Sequence, residues 1–389
     1  MAQPEMLHPL ARKTRIVLFL VALLSASCSK EPQGNCLTCR VLSDPDQFAW
    51  ETFKRVVLPI DSLGRAHWER WALARKVFHG ECKEIVWEDV SSEQGRERDD
   101  YDANLVKASN NADVLAKPDK NKPGTQLFSI ASTGGQMVDP KDFFEVRMNK
   151  PAFDFLVEKN LHCLEGVKDA WQNRMLIKFP DSSIFVKAKW KEKPSTPERY
   201  HTAAITDLET WGLVGLHITT KDIPNWFWAT FIHVDSAESK QLLSELKPAP
   251  PEFAGTVWQN YMLVGTQVSF VDSKGSPQRL INPSLEVNMY KNSSSCMTCH
   301  ARATIGAPGE EENTVGHLAE FKDSSEFSED DVRANMKGLT IGHTGIPVPT
   351  WYQDRFIQTD FIWSIAERIN RAASTSTPPP LIQEATPQR

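Results

Sequence analysis

Two apolar stretches separated by five residues decide the fold: Leu213-Val-Gly-Leu-His-Ile-Thr-Thr220 and Trp226-Phe-Trp-Ala-Thr-Phe-Ile-His-Val234. Both are rich in β-branched and aromatic residues, which are enriched in strands. The connection, Lys221-Asp-Ile-Pro-Asn225, contains the proline and asparagine that are typical of turns. We therefore predict that the two stretches are antiparallel neighbours in one sheet.

The sequence on either side of this pair extends the sheet and adds helices. Residues 183–190 alternate between apolar and polar side chains, and residues 261–270 are a further strand candidate. Apolar residues at helical spacing predict helices over residues 47–57, 67–78, 151–161 and 360–371. The predicted fold class is α+β, with an antiparallel β-rich central core, flanking helices and a C-terminal segment.

The motif that carries chemistry lies in this C-terminal segment and reads Cys296-Met-Thr-Cys299-His300. It is the Cys-x-x-Cys-His attachment signature of c-type haem. Each thiol can form a thioether to one haem vinyl group, and the imidazole of His300 is then placed as the proximal iron ligand. The alternative is a disulfide followed by a chance histidine. We predict one covalent haem c, bound at Cys296, Cys299 and His300.

The N-terminus has the order of an export signal. Arg12, Lys13 and Arg15 precede an apolar run over residues 16–24, and small residues then lead to Cys28. The run is shorter than the roughly 20 apolar residues that a membrane span needs. The stretch resembles a bacterial lipoprotein signal with Cys28 as the lipidated residue; the alternative is ordinary cleavage that leaves Cys28 unmodified. The expected location is the periplasmic side of the bacterial envelope, with a lipid anchor at the membrane.

The count of cysteines agrees with an oxidising compartment. Of seven cysteines, one is assigned to lipid and two to haem, which leaves Cys36, Cys39, Cys82 and Cys163. No histidine follows Cys39, so a second haem is not expected; a local disulfide between Cys36 and Cys39 is the simpler interpretation, and a redox-active pair is the alternative. Cys82 and Cys163 can bridge, but the sequence does not decide the pairing.

The composition of the chain limits the size of its core and the kinds of partner it can have. The chain has 389 residues, of which 40% are hydrophobic, so a sizeable core can form. The formal net charge is −6 and no basic cluster stands out, which argues against a nucleic-acid partner. The predicted organisation is a lipoprotein-type signal peptide (1–28), a polar tether (29–46), an α+β core (47–284), a haem c-binding segment packed on the core (285–372) and a disordered tail (373–389).

Several stretches together resemble a largely uncharacterised family of bacterial monohaem cytochrome c proteins. They are Phe185-Val-Lys-Ala-Lys-Trp190, Gly215-Leu-His-Ile218, Trp228-Ala-Thr-Phe-Ile-His-Val-Asp235, Ser295-Cys-Met-Thr-Cys-His-Ala301 and Thr359-Asp-Phe-Ile-Trp-Ser364. The resemblance spans roughly residues 46 to 370 and implies haem c and redox chemistry, without a particular reaction. The family usually has an acidic residue before its second histidine, where this chain has Ile232, so no carboxylate partner for that histidine is implied.

The second axial ligand is expected to be a histidine or a methionine. We predict His233, with His217 as the second choice, because both lie in the aromatic β region of the resemblance. Pairing His217 opposite Trp228 would put His233 on the other face of the sheet, and a slip of one residue would reverse this. The other candidates are His201, His317, His343, Met262, Met289 and Met336. An empty sixth position is a further alternative.

These features predict an exported c-type cytochrome that carries out one-electron transfer with a periplasmic redox partner, which the sequence does not identify. Lys187, Lys189 and Lys221 are candidates for pairing with haem propionates, or are simply solvent-facing lysines. The alternative function is a haem-dependent oxidoreductase with an open, peroxidase- or oxidase-like iron site, or a haem-based sensor. The length of the chain favours this alternative, because a simple electron carrier needs a domain of only ~100 residues.

Overall fold

The computed structural model describes residues 37–78, 81–91, 142–206, 209–237, 239–241, 244–272, 278, 280–285, 295–301, 303–306 and 356–365. Within these residues the centre of the molecule is an eight-stranded antiparallel sheet with helices beside it, which confirms the predicted α+β class. The predicted export signal, Cys28 and the predicted tail lie outside the described residues.

The strands pair in the order β1-β2-β3-β5-β6-β8-β7, and β4 pairs with the first part of β5. The eight strands are β1 (Ala72–Leu73), β2 (Asp142–Met148), β3 (Ile184–Glu192), β4 (Thr202–Thr206), β5 (Glu209–Thr220), β6 (Phe227–His233), β7 (Lys247–Pro248) and β8 (Tyr261–Gln267). Strands β5 and β6 are the predicted neighbouring pair. A separate two-stranded ladder joins β9 (Thr304–Ile305) to β10 (Ile357–Gln358).

Seven α-helices are present in the described part of the chain. They are α1 (Leu37–Ser43), α2 (Pro45–Val57), α3 (Ala74–Val77), α4 (Trp87–Ser91), α5 (Lys150–Glu158), α6 (Leu164–Gln172) and α7 (Cys296–His300). Helix α2 begins where Asp44 accepts a hydrogen bond from the Gln47 amide (3.0 Å) and Pro45 occupies the first turn. None of the described helices is long and apolar enough to cross a membrane.

Three predicted segments differ in the structure. The helix predicted over residues 360–371 does not begin at Asp360, because Asp360 and Phe361 form a turn with φ of 52° and 71°. The predicted tether (29–46) is too long, because residues from 37 onward are helical and Val41 is fully buried. The predicted helix over residues 67–78 is instead a 3-10 turn followed by β1 and α3. Here β1 pairs with β2, and Arg147 of β2 donates a hydrogen bond to the Trp71 carbonyl (2.9 Å). Tertiary pairing thus overrides the local helical spacing. Strand β2 and helix α6 are not among the predicted elements.

The sheet separates two apolar cores. Because successive side chains of a strand point to opposite faces, Phe231 of β6 packs on α2, where its ring lies 4.5 Å from that of Phe53. Trp228 of the same strand points to the other side, towards Met297 of α7. We call these two sides of the sheet the α2 face and the α7 face.

A disulfide joins Cys82 to Cys163, with a Cα–Cα distance of 4.9 Å. It links the segment 81–91 to the residue that precedes helix α6. The structure thereby supplies one pairing that the sequence left open.

Candidate functional site

Helix α7, which contains the Cys-x-x-Cys-His motif, is fixed at its start by three hydrogen bonds. Gln267, the last residue of β8, is fully buried, and its Oε1 accepts a hydrogen bond from the Met297 amide (3.0 Å). Its Nε2 donates to Ser295 Oγ (3.0 Å). The Cys296 amide donates to the Leu280 carbonyl (3.1 Å). The motif is therefore held against the end of a central strand.

One side of helix α7 is fully buried in the core, and another side is only partly buried. Met297 and Ala301 are both fully buried in the core of the α7 face. Cys296 and His300 are only partly buried. Residues four apart lie on the same side of a helix, so Cys296 and His300 share the side that is not sealed in the core. The Met297 side chain packs in the core and does not lie on the same side of the helix as His300.

The imidazole of His300 is oriented by a backbone carbonyl. Its Nδ1 lies 2.9 Å from the Phe361 carbonyl oxygen, and its ring centroid lies 4.6 Å from that of Trp228. A carbonyl oxygen can only accept, so Nδ1 carries a proton, and in the neutral ring Nε2 then carries the lone pair that a metal requires. This is the tautomer that metal-ligating histidines adopt when the other ring nitrogen donates to a carbonyl.

The segment that supplies this carbonyl is tied to the end of α7. The Ala303 amide donates to the His300 carbonyl, and the Thr359 amide donates to the Ala303 carbonyl, both at 3.1 Å. The β9–β10 ladder adds a second connection between the two segments. Residues 295–306 and 356–365 therefore pack together as one local structure against the α7 face.

The register of β5 and β6 decides which predicted histidine shares this face. His217 pairs with Thr230, and Thr219 pairs with Trp228. Residues directly opposite each other point to the same face, and diagonal neighbours on a face are about 7–8 Å apart. His217 therefore lies on the α7 face as a diagonal neighbour of Trp228, whose ring contacts His300. The His217 side chain is partly exposed there.

His233, the first choice for the distal ligand, lies on the α2 face. It is fully buried, and its ring stacks on Tyr200 with 3.6 Å between centroids. Nδ1 accepts a hydrogen bond from the Asp235 amide, and Nε2 donates to the Arg199 carbonyl, both at 3.1 Å. Burial lowers the pKa of His233 to about 4. The structure does not bring His233 to His300, because the register places the two on opposite faces, whereas His217 shares the face of His300.

The other predicted ligands are not brought to the motif either. His201 is buried on the α2 face, where its Nε2 is hydrogen-bonded to the Glu69 carboxylate and its ring stacks on Trp258 at 4.7 Å. Met262 pairs with Ile232, four positions along β6 from Trp228. The remaining candidates lie outside the described residues: Met289, His317, Met336 and His343.

Of the three lysines considered for propionate pairing, one lies beside His217. Lys187 of β3 pairs directly with His217 and therefore points to the α7 face. Lys189 is buried and donates to the Ser284 carbonyl (2.9 Å). Lys221 is buried in an ion pair with Asp360. Lys187 is thus the lysine that best suits an anionic group next to His217.

Two residues that support the site were not predicted from the sequence. Gln267 holds the start of α7, and Asp360 holds the turn next to Phe361. The stretch Thr359-Asp-Phe was part of the family resemblance, and a carboxylate in such an apolar segment is a signal that could have identified Asp360. Nothing in the local sequence marks Gln267, because its role depends on contacts 30 residues away.

The two donors whose side chains the structure describes, Cys296 and His300, fit covalent haem. Cys296 and His300 share one side of a short helix, and His300 has the tautomer that ligates iron through Nε2. Comparisons of the chain with protein-family models, curated proteins and solved structures find no match. The functional assignment therefore depends on the motif and on the geometry around it.

Proposed function

We propose that this protein is an exported c-type cytochrome with one covalent haem, used for one-electron transfer. The observation that carries the proposal is the hydrogen bond from His300 Nδ1 to the Phe361 carbonyl (2.9 Å). It prepares Nε2 as a metal ligand in the same residue that the Cys-x-x-Cys-His motif identifies as the proximal histidine. Bound haem would supply reversible one-electron chemistry at iron.

Each residue of the site has a distinct part in this proposal. Cys296 and Cys299 would hold the cofactor covalently, and His300 would be the proximal ligand. His217 would be the distal ligand, since it is the histidine that lies on the α7 face near Trp228. Lys187, directly opposite His217, would pair with a propionate.

The proposed location is the periplasmic side of the envelope, with Cys28 lipidated and a redox partner that remains to be identified. The basic and apolar order of residues 12–28 supports export. The disulfide between Cys82 and Cys163 supports an oxidising compartment, where such bonds form and persist. Mass spectrometry of the mature N-terminus tests the anchor: a lipid mass on Cys28 is expected, and an unmodified N-terminus after signal removal would refute it.

Covalent attachment is the first experiment. The purified protein should retain its haem after denaturation and acidic organic extraction. Replacing both Cys296 and Cys299 by serine should abolish retention, whereas replacing both Cys82 and Cys163 should not. Complete extraction of haem from the wild-type protein would overturn the c-type assignment.

The distal ligand is tested by the ferric absorption and electron paramagnetic resonance spectra. The wild-type protein should be six-coordinate and low-spin. His217→Ala should convert it to a high-spin form that binds small ligands, because a strong axial ligand is lost. His233→Ala should leave the spin state unchanged, since His233 lies on the α2 face. The opposite pattern would restore His233 as the ligand.

A haem-dependent oxidoreductase or a haem-based sensor is the second candidate. It is favoured by the eight-stranded sheet with two cores, which is far more structure than the ~100 residues of a simple electron carrier. A high-spin or water-ligated ferric spectrum of the wild-type protein would select this candidate, because the iron would then have an open coordination position.

A further inference from the structure

A buried ion pair lies behind the proximal histidine. Lys221 and Asp360 have side chains that are 2% and 9% exposed, and Nζ donates to Oδ1 at 2.6 Å. The second carboxylate oxygen, Oδ2, accepts a hydrogen bond from the Phe179 amide (2.8 Å). Lys221 Nζ also donates to the Pro224 carbonyl (2.7 Å). Buried charges are tolerated when they are paired and hydrogen-bonded in this way, and each partner then fixes the other.

Asp360, which this ion pair holds in place, is the first of two residues with an unusual backbone conformation. Asp360 has φ 52° and the next residue, Phe361, has φ 71°, so two successive residues are left-handed. Aspartate tolerates this region, but a bulky residue such as phenylalanine rarely adopts it. Such a conformation persists only where the surroundings hold it in place, and it marks a candidate functional position. Here it presents the Phe361 carbonyl to His300 Nδ1.

The cationic partner comes from the sheet itself. Lys221 directly follows β5, in the turn that leads to β6, and its ammonium lies 5.2 Å from the centroid of the Trp226 ring in the same turn. The hairpin that carries His217 and Trp228 therefore also anchors Asp360. A change in this hairpin would be transmitted through Asp360 to the carbonyl that orients His300.

We propose that the Lys221–Asp360 ion pair is a positioning device that sets the hydrogen bond between His300 and the Phe361 carbonyl, and thereby lowers the reduction potential of the haem. This inference rests on the proposed function, since the potential belongs to a haem at His300. A stronger Nδ1–H···O bond makes the imidazole a more basic ligand. A more basic ligand favours ferric over ferrous iron, so loosening the bond raises the potential.

The test is the reduction potential of the haem-loaded Lys221→Met variant. Loss of one positive charge by itself stabilises the more positive ferric form and lowers the potential. Loss of positioning raises it, so the sign of the shift separates the two effects. Lys178→Met is the matched control, because it removes an exposed lysine whose charge acts on Lys221. We expect an upward shift for Lys221→Met, an unchanged or lower potential for Lys178→Met, and a potential near wild type for Lys221→Arg.

A second measurement does not require haem. In protein with Cys296 and Cys299 replaced by serine, ¹⁵N NMR of the His300 ring should show the Nδ1–H tautomer, and Lys221→Met should increase the Nε2–H fraction. An unchanged or lower potential together with an unchanged tautomer would overturn the inference. If Lys221→Met does not fold, Asp360→Asn is measured instead. Loss of a negative charge also raises the potential by itself, so the tautomer decides for this variant, and its Nε2–H fraction should increase. Failure to detect covalent haem would refute the proposed function and the effect on the potential, whereas the tautomer would still decide whether the ion pair positions the hydrogen bond of His300.

Discussion

At the scale of single residues, strand β2 contains an ion pair that is almost completely removed from water. The side chains of Arg147 and Glu145 are 0% and 1% exposed, with Nε donating to Oε2 at 3.1 Å. The other carboxylate oxygen accepts a hydrogen bond from Trp190 Nε1 (2.8 Å), and Arg147 also donates to the Trp71 carbonyl. The pair therefore joins two strands, β2 and β3, to the segment that precedes β1.

Removal of Glu145 should be strongly destabilising. Glu145→Ala leaves the Arg147 guanidinium buried without its carboxylate, which typically costs about 3–5 kcal/mol. Urea denaturation followed by circular dichroism measures this loss. Glu158→Ala is the control, because Glu158 is 71% exposed in its pair with Lys159, and such pairs contribute about 0–1 kcal/mol. Equal losses for the two variants would contradict the structure.

His233 should make stability depend on pH. Burial lowers its pKa from the ordinary 6.5 to about 4. Between these two values the unfolded chain binds a proton that the folded protein does not, so the free energy of unfolding decreases as pH falls through this range. The full effect is about 3 kcal/mol, reached near pH 4. His233→Gln should flatten the stability profile between pH 6.5 and 4 relative to wild type. Identical slopes for the two proteins would show that His233 titrates normally in the folded state.

At the scale of secondary-structure elements, the disulfide links the segment containing α4 to helix α6. Cys82 and Cys163 are 81 residues apart, and closing a loop of that size restricts the unfolded chain strongly. Replacing both cysteines by serine should lower the free energy of unfolding by about 2–5 kcal/mol. Reduction of the wild-type protein should give a similar loss, and the double variant should not respond to reductant. Little change after either treatment would mean that the bond does not constrain the unfolded chain.

Local sequence patterns predicted where strands and helices lie better than they predicted the register in which the strands pair. Alternating and aromatic residues identified β5 and β6, and Asp44 with Pro45 explains why α2 begins where it does. The register of β5 and β6 was not available from these patterns, because it is set by the turn between them, in which Trp226 adopts φ 62°. The faces of His217 and His233 depend on that register, and this is why the sequence could not decide which of the two lies on the same face as the motif.

At the scale of the whole molecule, the site on the α7 face is assembled from distant parts of the chain. The motif could be recognised in sequence, because its five residues are contiguous. Its supports come from the end of β8, from the β5–β6 turn and from residues 359–361, which only the fold brings together. Long-range contacts of this kind leave no periodic pattern in the sequence, so Gln267 and the Phe361 carbonyl could not be predicted.

The two cores should differ in their dependence on haem. The α2 face is filled by Phe53, Trp258 and Phe231, and the rings of the last two lie within 5.6 Å of the Phe53 ring. Of the motif side chains that the structure describes, Cys296 and Met297 pack in the core of the α7 face instead. The core of the α7 face is closed by α7 and residues 356–365, which meet through a two-residue ladder and a few hydrogen bonds. Local unfolding of such a segment requires less free energy than unfolding of a central strand.

We therefore expect the variant with Cys296 and Cys299 both replaced by serine to keep the sheet and the hydrogen bond between His300 and the Phe361 carbonyl, but to open the segments around that bond more often. Amide hydrogen exchange should show near wild-type protection in α2, β5 and β6. Protection should fall in residues 295–306 and 356–365, because covalent haem no longer ties α7 to the groups around it. Replacing both Cys82 and Cys163 serves as the comparison, since this should raise exchange near α4 and α6 instead. Loss of protection throughout β5 and β6 in the haem-free variant would show that the sheet does not fold independently of the haem segment.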